Sequence, residues 1–154
     1  MHAVIKQEDT MMPNLMQQSP KFQRLISNIQ KSIEDEAVAI QLYTWMLNEA
    51  RDPLAKEFID HARNDEKEHL EDFTKLYVHF TGQQPNVQLQ PLPNLTYKQA
   101  LVSALKSELG AQEFYRKIYM GCTDQMVKDV YFNAMMDEIE HAIRFSTLIH
   151  LADV

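Results

Sequence analysis

Two short stretches of the chain combine carboxylate and imidazole at a spacing that suits metal ligation. Asp137-Glu138-Ile139-Glu140-His141 has a twin 72 residues earlier, Asp65-Glu66-Lys67-Glu68-His69. On a helix, residues three apart share a face. Glu66 and His69 can therefore grip one cation, and so can Glu138 and His141. The offset extends beyond the motif: Glu36 pairs with Glu108, Ala39 with Ala111, Tyr43 with Tyr115, Asp52 with Asp124, and Phe73 with Phe145. Between positions 36 and 76, 12 of 41 residues equal their partner without a gap. Average composition gives roughly two or three, so the chain is an internal duplication. A lone Glu-x-x-His is usually an exposed polar pair. Here each copy adds a matched glutamate. A four-helix bundle that holds a carboxylate-bridged metal pair takes one Glu from each of two helices and Glu-x-x-His from each of the other two. Glu36, Glu108, Glu66/His69 and Glu138/His141 fill all of those places.

Four buried carboxylates without compensation would repel and be costly to desolvate, and two divalent cations would neutralise them. Oxygen and imidazole donors without thiolate suit iron or manganese better than copper(I) or structural zinc. Glu66 and Glu138 are expected to bridge, Glu36 and Glu108 to be terminal. A ligating histidine usually donates its other N–H to a carboxylate or carbonyl. Asp65 is therefore expected to orient His141, and Asp137 to orient His69. Ala39 and Ala111 would leave room for oxygen or peroxide. Tyr43 and Tyr115, seven residues beyond the lone glutamates on the same face, are catalytic candidates, as hydrogen-bond donors to the carboxylates or as radical carriers. Glu68 and Glu140 point away. His2, His61, His79 and His150 have no histidine partner in the repeat and are read as structural or surface groups. Met46, Met120, Met126, Met135 and Met136 are read as core filler or subunit contacts, and Trp45 as the mark of a dimer face.

The elements that must position these groups are four helices. Ser19-Pro20 caps a helix over about 20–50, with Phe22, Leu25, Ile26, Ile29, Ile33, Ala37, Ile40, Tyr43 and Leu47 at steps of three and four. Asp52-Pro53 starts a second over about 53–80, which Gly82 ends. A capping box, Thr96-x-x-Gln99, opens a third over about 97–120, closed by Gly121. Thr123 or Asp124 caps a fourth over about 125–151. Each short hairpin turn, near residues 51 and 123, stands midway between its lone glutamate and its motif glutamate, so antiparallel pairing puts both at one height. Residues 82–95 hold three prolines and no helical period. Extended, they reach about 45 Å, just enough to cross a second helix about 42 Å long. One long crossover of this kind marks ferritin-like bundles.

At 154 residues with 45% apolar content and three glycines, the chain suits a single helical bundle over residues 19–154, preceded by a polar, methionine-dotted arm over 1–18. The net charge of -7 offers no basic stripe for nucleic acid. One cysteine, Cys122, excludes a disulfide framework and fits a reducing compartment. No apolar run approaches the ~18 residues of a membrane span, and Met1–Gln7 lacks the features of a signal peptide. The expected setting is cytoplasmic.

Over residues 20–151 the chain resembles the ferritin-like superfamily, nearest to di-iron bundles of the rubrerythrin, erythrin and bacterioferritin type. Its six donors match the family's ligand places one by one. It lacks the Cys-x-x-Cys pair of a rubredoxin domain and a fifth helix. Ala111 stands where rubrerythrins carry a further glutamate. The resemblance implies an all-α, ferritin-like four-helix bundle holding two iron ions, with two manganese ions as the alternative. It implies an oxidoreductase of oxidative-stress type, a ferroxidase or peroxide-reducing protein. The implied partners are O2 or H2O2, a separate electron donor and further copies of the chain, as a homodimer or larger assembly. Small relatives also resemble spore-coat components, which implies a structural alternative. Glu108-Leu109-Gly110-Ala111 resembles a stretch in hydroxylating members, and a dimanganese catalase is a further alternative.

Overall fold

Each helix begins where a short polar side chain takes up a free backbone amide. Ser19 accepts from the Phe22 amide at 3.1 Å, and Pro20 follows it as the first helical residue. Asp52 accepts from Ala55 at 2.9 Å. Thr96 and Gln99 form a reciprocal box, with contacts of 3.2 and 2.9 Å. At the fourth start the cap is Asp124, which accepts from Val127 at 3.0 Å. These caps delimit α1 (Pro20–Glu49), α2 (Pro53–Thr81), α3 (Tyr97–Gly121) and α4 (Gln125–Ala152). The structure, a computed structural model, describes residues 19–152. The arm expected over residues 1–18 lies outside them.

Gly82 closes α2 in the left-handed conformation, φ 68°, where a side chain would be strained. Gly121, expected to close α3, is its last helical residue. Cys122 follows in extended conformation, φ -100°.

The helices α1 and α2 pack closely as one hairpin, and α3 and α4 as the other. The hairpins meet through α2 and α4, whereas α1 and α3 touch sparingly. The crossover between α2 and α3 runs the length of α1. Its Asn86 carbonyl accepts from Gln30 Nε2 at 2.7 Å near one end. Leu92 and Leu95 pack near the other, against a cluster that includes Leu42 and Trp45. Trp45, expected at a dimer face, is half-buried beneath this crossover.

Two apolar clusters fill the interior. One is built on Leu42, Tyr43, Met46, Ile59, Leu101 and Phe145. The other is built on Ile29, Ile33, Phe73, Leu76, Tyr115 and Tyr131. Leu42 and Met46 take core places for which Ile40 and Leu47 were the expected candidates; the latter two are only half-buried. Between the clusters lies a polar layer. Among the described residues the buried polar side chains are Ser32, Glu36, Glu66, His69, Glu108, Glu138 and His141. Ser32 is matched by the Tyr131 hydroxyl at 3.0 Å, and the other six form one site.

Candidate metal centre

Each helix contributes to the layer at its midpoint: α1 gives Glu36, α2 Glu66 and His69, α3 Glu108, and α4 Glu138 and His141. The duplication makes this possible. Equal arms on either side of each turn bring the two donor levels of a hairpin together, and docking α2 on α4 joins the two hairpins.

The six donors divide into two overlapping groups. Glu36, Glu66, His69 and Glu138 place one donor atom each within 4.8 Å of one another, and so do Glu66, Glu108, Glu138 and His141. Glu66 and Glu138 belong to both groups, while Glu36 with His69 and Glu108 with His141 belong to one each. The imidazole centroids are 6.2 Å apart.

Each imidazole turns Nδ1 inward and Nε2 outward. His69 Nδ1 lies 3.0 Å from Glu66 Oε2 and 3.4 Å from Glu138 Oε1. His141 Nδ1 lies 3.2 Å from both Glu138 Oε2 and Glu66 Oε1. One N–H thus faces two carboxylate oxygens on each side and can satisfy only one of them. Glu66 Oε1 and Glu138 Oε1 are left buried without a hydrogen-bond donor. Unsatisfied buried carboxylate oxygens are costly, and both belong to the two glutamates shared between the groups. The outer nitrogens meet the partner hairpin: His69 Nε2 is 3.0 Å from Asp137 Oδ2, and His141 Nε2 is 3.0 Å from Asp65 Oδ2. The tyrosines also cross between hairpins. Tyr43 donates to Glu108 and Tyr115 donates to Glu36.

Crowding dictates how the metal-free layer holds protons. Burial, then the charges of Glu66 and Glu138, push the Glu36 carboxyl well above the usual range. Burial, then its contact with Glu138, does the same to Glu108. Burial also acts upward on Glu66, but the facing imidazoles of His141 and His69 and the Glu36 carboxyl outweigh it and hold Glu66 low. Glu138 is likewise held low, since contacts with Glu108, His141 and His69 overcome burial and the charge of Glu66. Burial disfavours charged imidazole, yet hydrogen bonding to Asp137, Glu138 and Glu66 raises His69. Glu108, Glu138 and Glu66 raise His141 in the same way. The two shared glutamates are thus the ones held low, and the two unshared ones are raised. Two divalent cations would offset the charge of four carboxylates beside two neutral imidazoles. The layer fits a metal pair in donor type and in its two unsatisfied shared oxygens.

Beside the layer, a cavity of about 530 Å³ opens along the seam between α1 and α3. Ala39 and Ala111 line it, as do Glu36, Glu108, Tyr43 and Tyr115. On the outer side, His61 is not an isolated surface group. Its Nε2 lies 3.1 Å from Asp65 Oδ2 and 3.5 Å from Glu140 Oε1, so it extends the His141–Asp65 pair to the exterior. Its place in the other copy is taken by Asn133. His61 is 41% exposed, as expected of a surface group, and its spacing of four from Asp65 sets this contact.

No protein-family model matches the chain. The uncharacterized protein YhjR of Bacillus subtilis strain 168 is 32% identical over 123 residues, which cover 79% of this chain and 83% of YhjR. Among solved structures, the fold is similar to a dodecameric thioferritin, the bacterioferritin-related protein of Bacteroides fragilis. That likeness has a TM-score of 0.76 at 14% identity, over 94% of this chain and 95% of the other. A conserved hypothetical protein of Mycobacterium tuberculosis is similar with a TM-score of 0.68 at 12% identity, over 80% and 89% of the two chains. The fold is thus the ferritin-like four-helix bundle. Among the described residues no helix is long and apolar enough to cross a membrane.

Proposed function

This chain belongs to the family of Bacillus subtilis YhjR, and we propose that it is a di-iron carboxylate protein that oxidises Fe(II) with O2 or H2O2, or reduces peroxide with electrons from a separate donor. The observation that supports this most is the pair of overlapping donor groups sharing Glu66 and Glu138. Glu36 and His69 would complete one metal position, and Glu108 and His141 the other. When bound, iron supplies the electron transfer to oxygen or peroxide that no side chain here provides.

The chain's own residues do the rest. Asp65 and Asp137 hold the outer nitrogens of His141 and His69, which fixes each ring with Nδ1 turned inward. Tyr43 and Tyr115 anchor Glu108 and Glu36 from the opposite hairpin and keep a phenolic proton beside the cavity. Burial of both hydroxyls, and then the neighbouring glutamate charges, raise their pKa well above the ordinary phenol. They therefore remain proton donors at neutral pH. The apolar clusters close the layer at both ends along the bundle. Manganese shares iron's preference for this donor set, and metal analysis after native purification separates the two.

Self-association fits the outer surface. Phe132, Met136, Ile139 and Ile143 are 43, 48, 40 and 61% exposed. Their 4-3-4 spacing forms one stripe along α4. That spacing is symmetric about its midpoint, so two antiparallel copies can interdigitate it. We assign this stripe to a second copy of the chain.

Metal-loaded protein should consume O2 or H2O2 in the presence of Fe(II), and Glu66→Ala should abolish the consumption. Consumption absent from fully loaded protein, or unchanged in Glu66→Ala, would contradict the assignment.

A further inference from the structure

The cavity along the α1–α3 seam is far larger than O2 or H2O2 requires. A water molecule occupies about 30 Å³ of liquid, whereas this cavity measures about 530 Å³, within the range of small-molecule sites. It reaches from Lys31 and Phe114 at one end to Leu42, Leu92 and Leu95 at the other. Along α1 that is a trough about 17 Å long, with Glu36 and Glu108 on its floor near the middle.

Gly110 indicates that the space is kept open. It lies inside α3, where glycine is among the least favourable residues. Backbone geometry does not require it, because Gly82 is the glycine with positive φ among the described residues. Close packing does not require it either, since a Cβ added there would meet nothing within 4 Å. What Gly110 does is line the cavity beside Ala111, opposite Ala39 and Val38. The corresponding residue of the other hairpin is Val38 itself.

We propose that this trough binds a neutral, hydrocarbon-rich organic molecule, held between α1 and α3 with one part against the glutamate layer. The lining selects for that class. Val38, Leu42, Leu92 and Phe114 offer apolar walls. Lys31, at the mouth, is bound to Asp35 at 2.6 Å, and an anion would face the acidic side chains of Asp35, Glu66 and Glu138 in the lining. The inference goes beyond the metal assignment and does not depend on it, since binding is read with or without added metal.

The test uses the full chain with Nile red as a neutral apolar probe and 1-dodecanol as competitor. The expected result is saturable one-site binding that dodecanol displaces. Gly110→Leu on one wall and Ala39→Leu on the other should each weaken it by about tenfold or more, because the new side chain occupies space the ligand needs. Gly110→Leu should melt no lower than the parent, since leucine favours the helix and enters open space. Glu71→Gln, on the exposed face of α2, should leave binding unchanged. Three results would overturn the proposal: no saturable binding, binding indifferent to both wall variants, or binding lost in Glu71→Gln, which would put the probe outside the trough.

Discussion

The two hairpins agree inside and disagree outside. Facing the polar layer, every group of the first copy has its equal in the second: Glu36 and Glu108, Glu66 and Glu138, His69 and His141, Asp65 and Asp137, Tyr43 and Tyr115. Their contacts are equal too, with each imidazole 3.0 Å from the opposite aspartate and each tyrosine on the opposite glutamate. On the outer faces the copies part. Where α4 shows Phe132, Met136, Ile139 and Ile143, the corresponding residues of α2 are Asp60, Asn64, Lys67 and Glu71. A shared centre constrains both halves at once, because moving one donor disturbs both groups. An outer face answers only to what covers it. The divergence is one-sided: all four positions are apolar in one copy and polar in the other.

The largest expected effect breaks the inner symmetry. Glu66 and Glu138 serve both donor groups, so Glu66→Ala or Glu138→Ala should abolish binding of both ions. Glu36→Ala or Glu108→Ala should leave one. Metal content after dialysis separates the outcomes, and equal losses from all four would refute the shared role.

The next effect breaks the outer asymmetry. Met136→Lys with Ile143→Lys should shift the mass in solution toward the monomer, because a charge buried in an apolar interface is costly. Exchanging Lys67 and Glu71 for alanine should not. Sedimentation of the parent and both variants reads this directly.

Proton linkage sharpens the account of the inner layer. Burial raises Glu36 and Glu108, and hydrogen bonding raises His69 and His141. Loading with divalent ions, which take ionised carboxylates and neutral imidazoles, should release protons. Affinity should therefore rise with pH and fall by orders of magnitude from pH 7 to 4. The metal-free fold should show the opposite trend. Groups with raised pKa stabilise below their unfolded values, about 4.5 for glutamate and 6.5 for histidine. That contribution declines as pH rises through the folded values. Melting curves with and without metal from pH 6 to 9 should diverge, and parallel curves would count against the protonation pattern.

Smaller effects should be equal on the two sides. Asp65→Asn and Asp137→Asn should each lower metal affinity by roughly 10–100-fold, the usual loss when a ligating histidine loses its orienting carboxylate. Side chains of Asp65 and Asp137 are 26 and 43% exposed, so any inequality should place the greater loss at Asp65. Tyr43→Phe and Tyr115→Phe should each destabilise the metal-free fold by about 1–3 kcal/mol, the range for leaving a buried acceptor unmatched. Thermal denaturation measures both.

Much of the frame was legible in the sequence, because helix starts are local. Ser19, Asp52 and the Thr96/Gln99 box act within three residues of themselves. The meeting of donors was legible because it follows from arithmetic along two hairpins. What escaped depends on distances between elements. Periodicity shows which face of α1 and α3 points inward, but not how far apart the two helices stand, so the cavity and the purpose of Gly110 were hidden. Met135 and Met136 are neighbours of one type, yet the first is buried and the second exposed. Composition cannot separate them when α4 carries apolar residues on two faces. The extended conformation of Cys122 and the packing of Leu92 and Leu95 near Trp45 escaped for a related reason. Both are set by where the chain goes next and not by the residue itself.

The most direct test of the central claim is anomalous diffraction at the iron edge, from crystals of protein purified with its native metal. Two peaks are expected in the polar layer, one within reach of Glu36 and His69 and the other within reach of Glu108 and His141, with Glu66 and Glu138 touching both. A single peak, or peaks confined to surface groups such as His61 and Glu140, would contradict it.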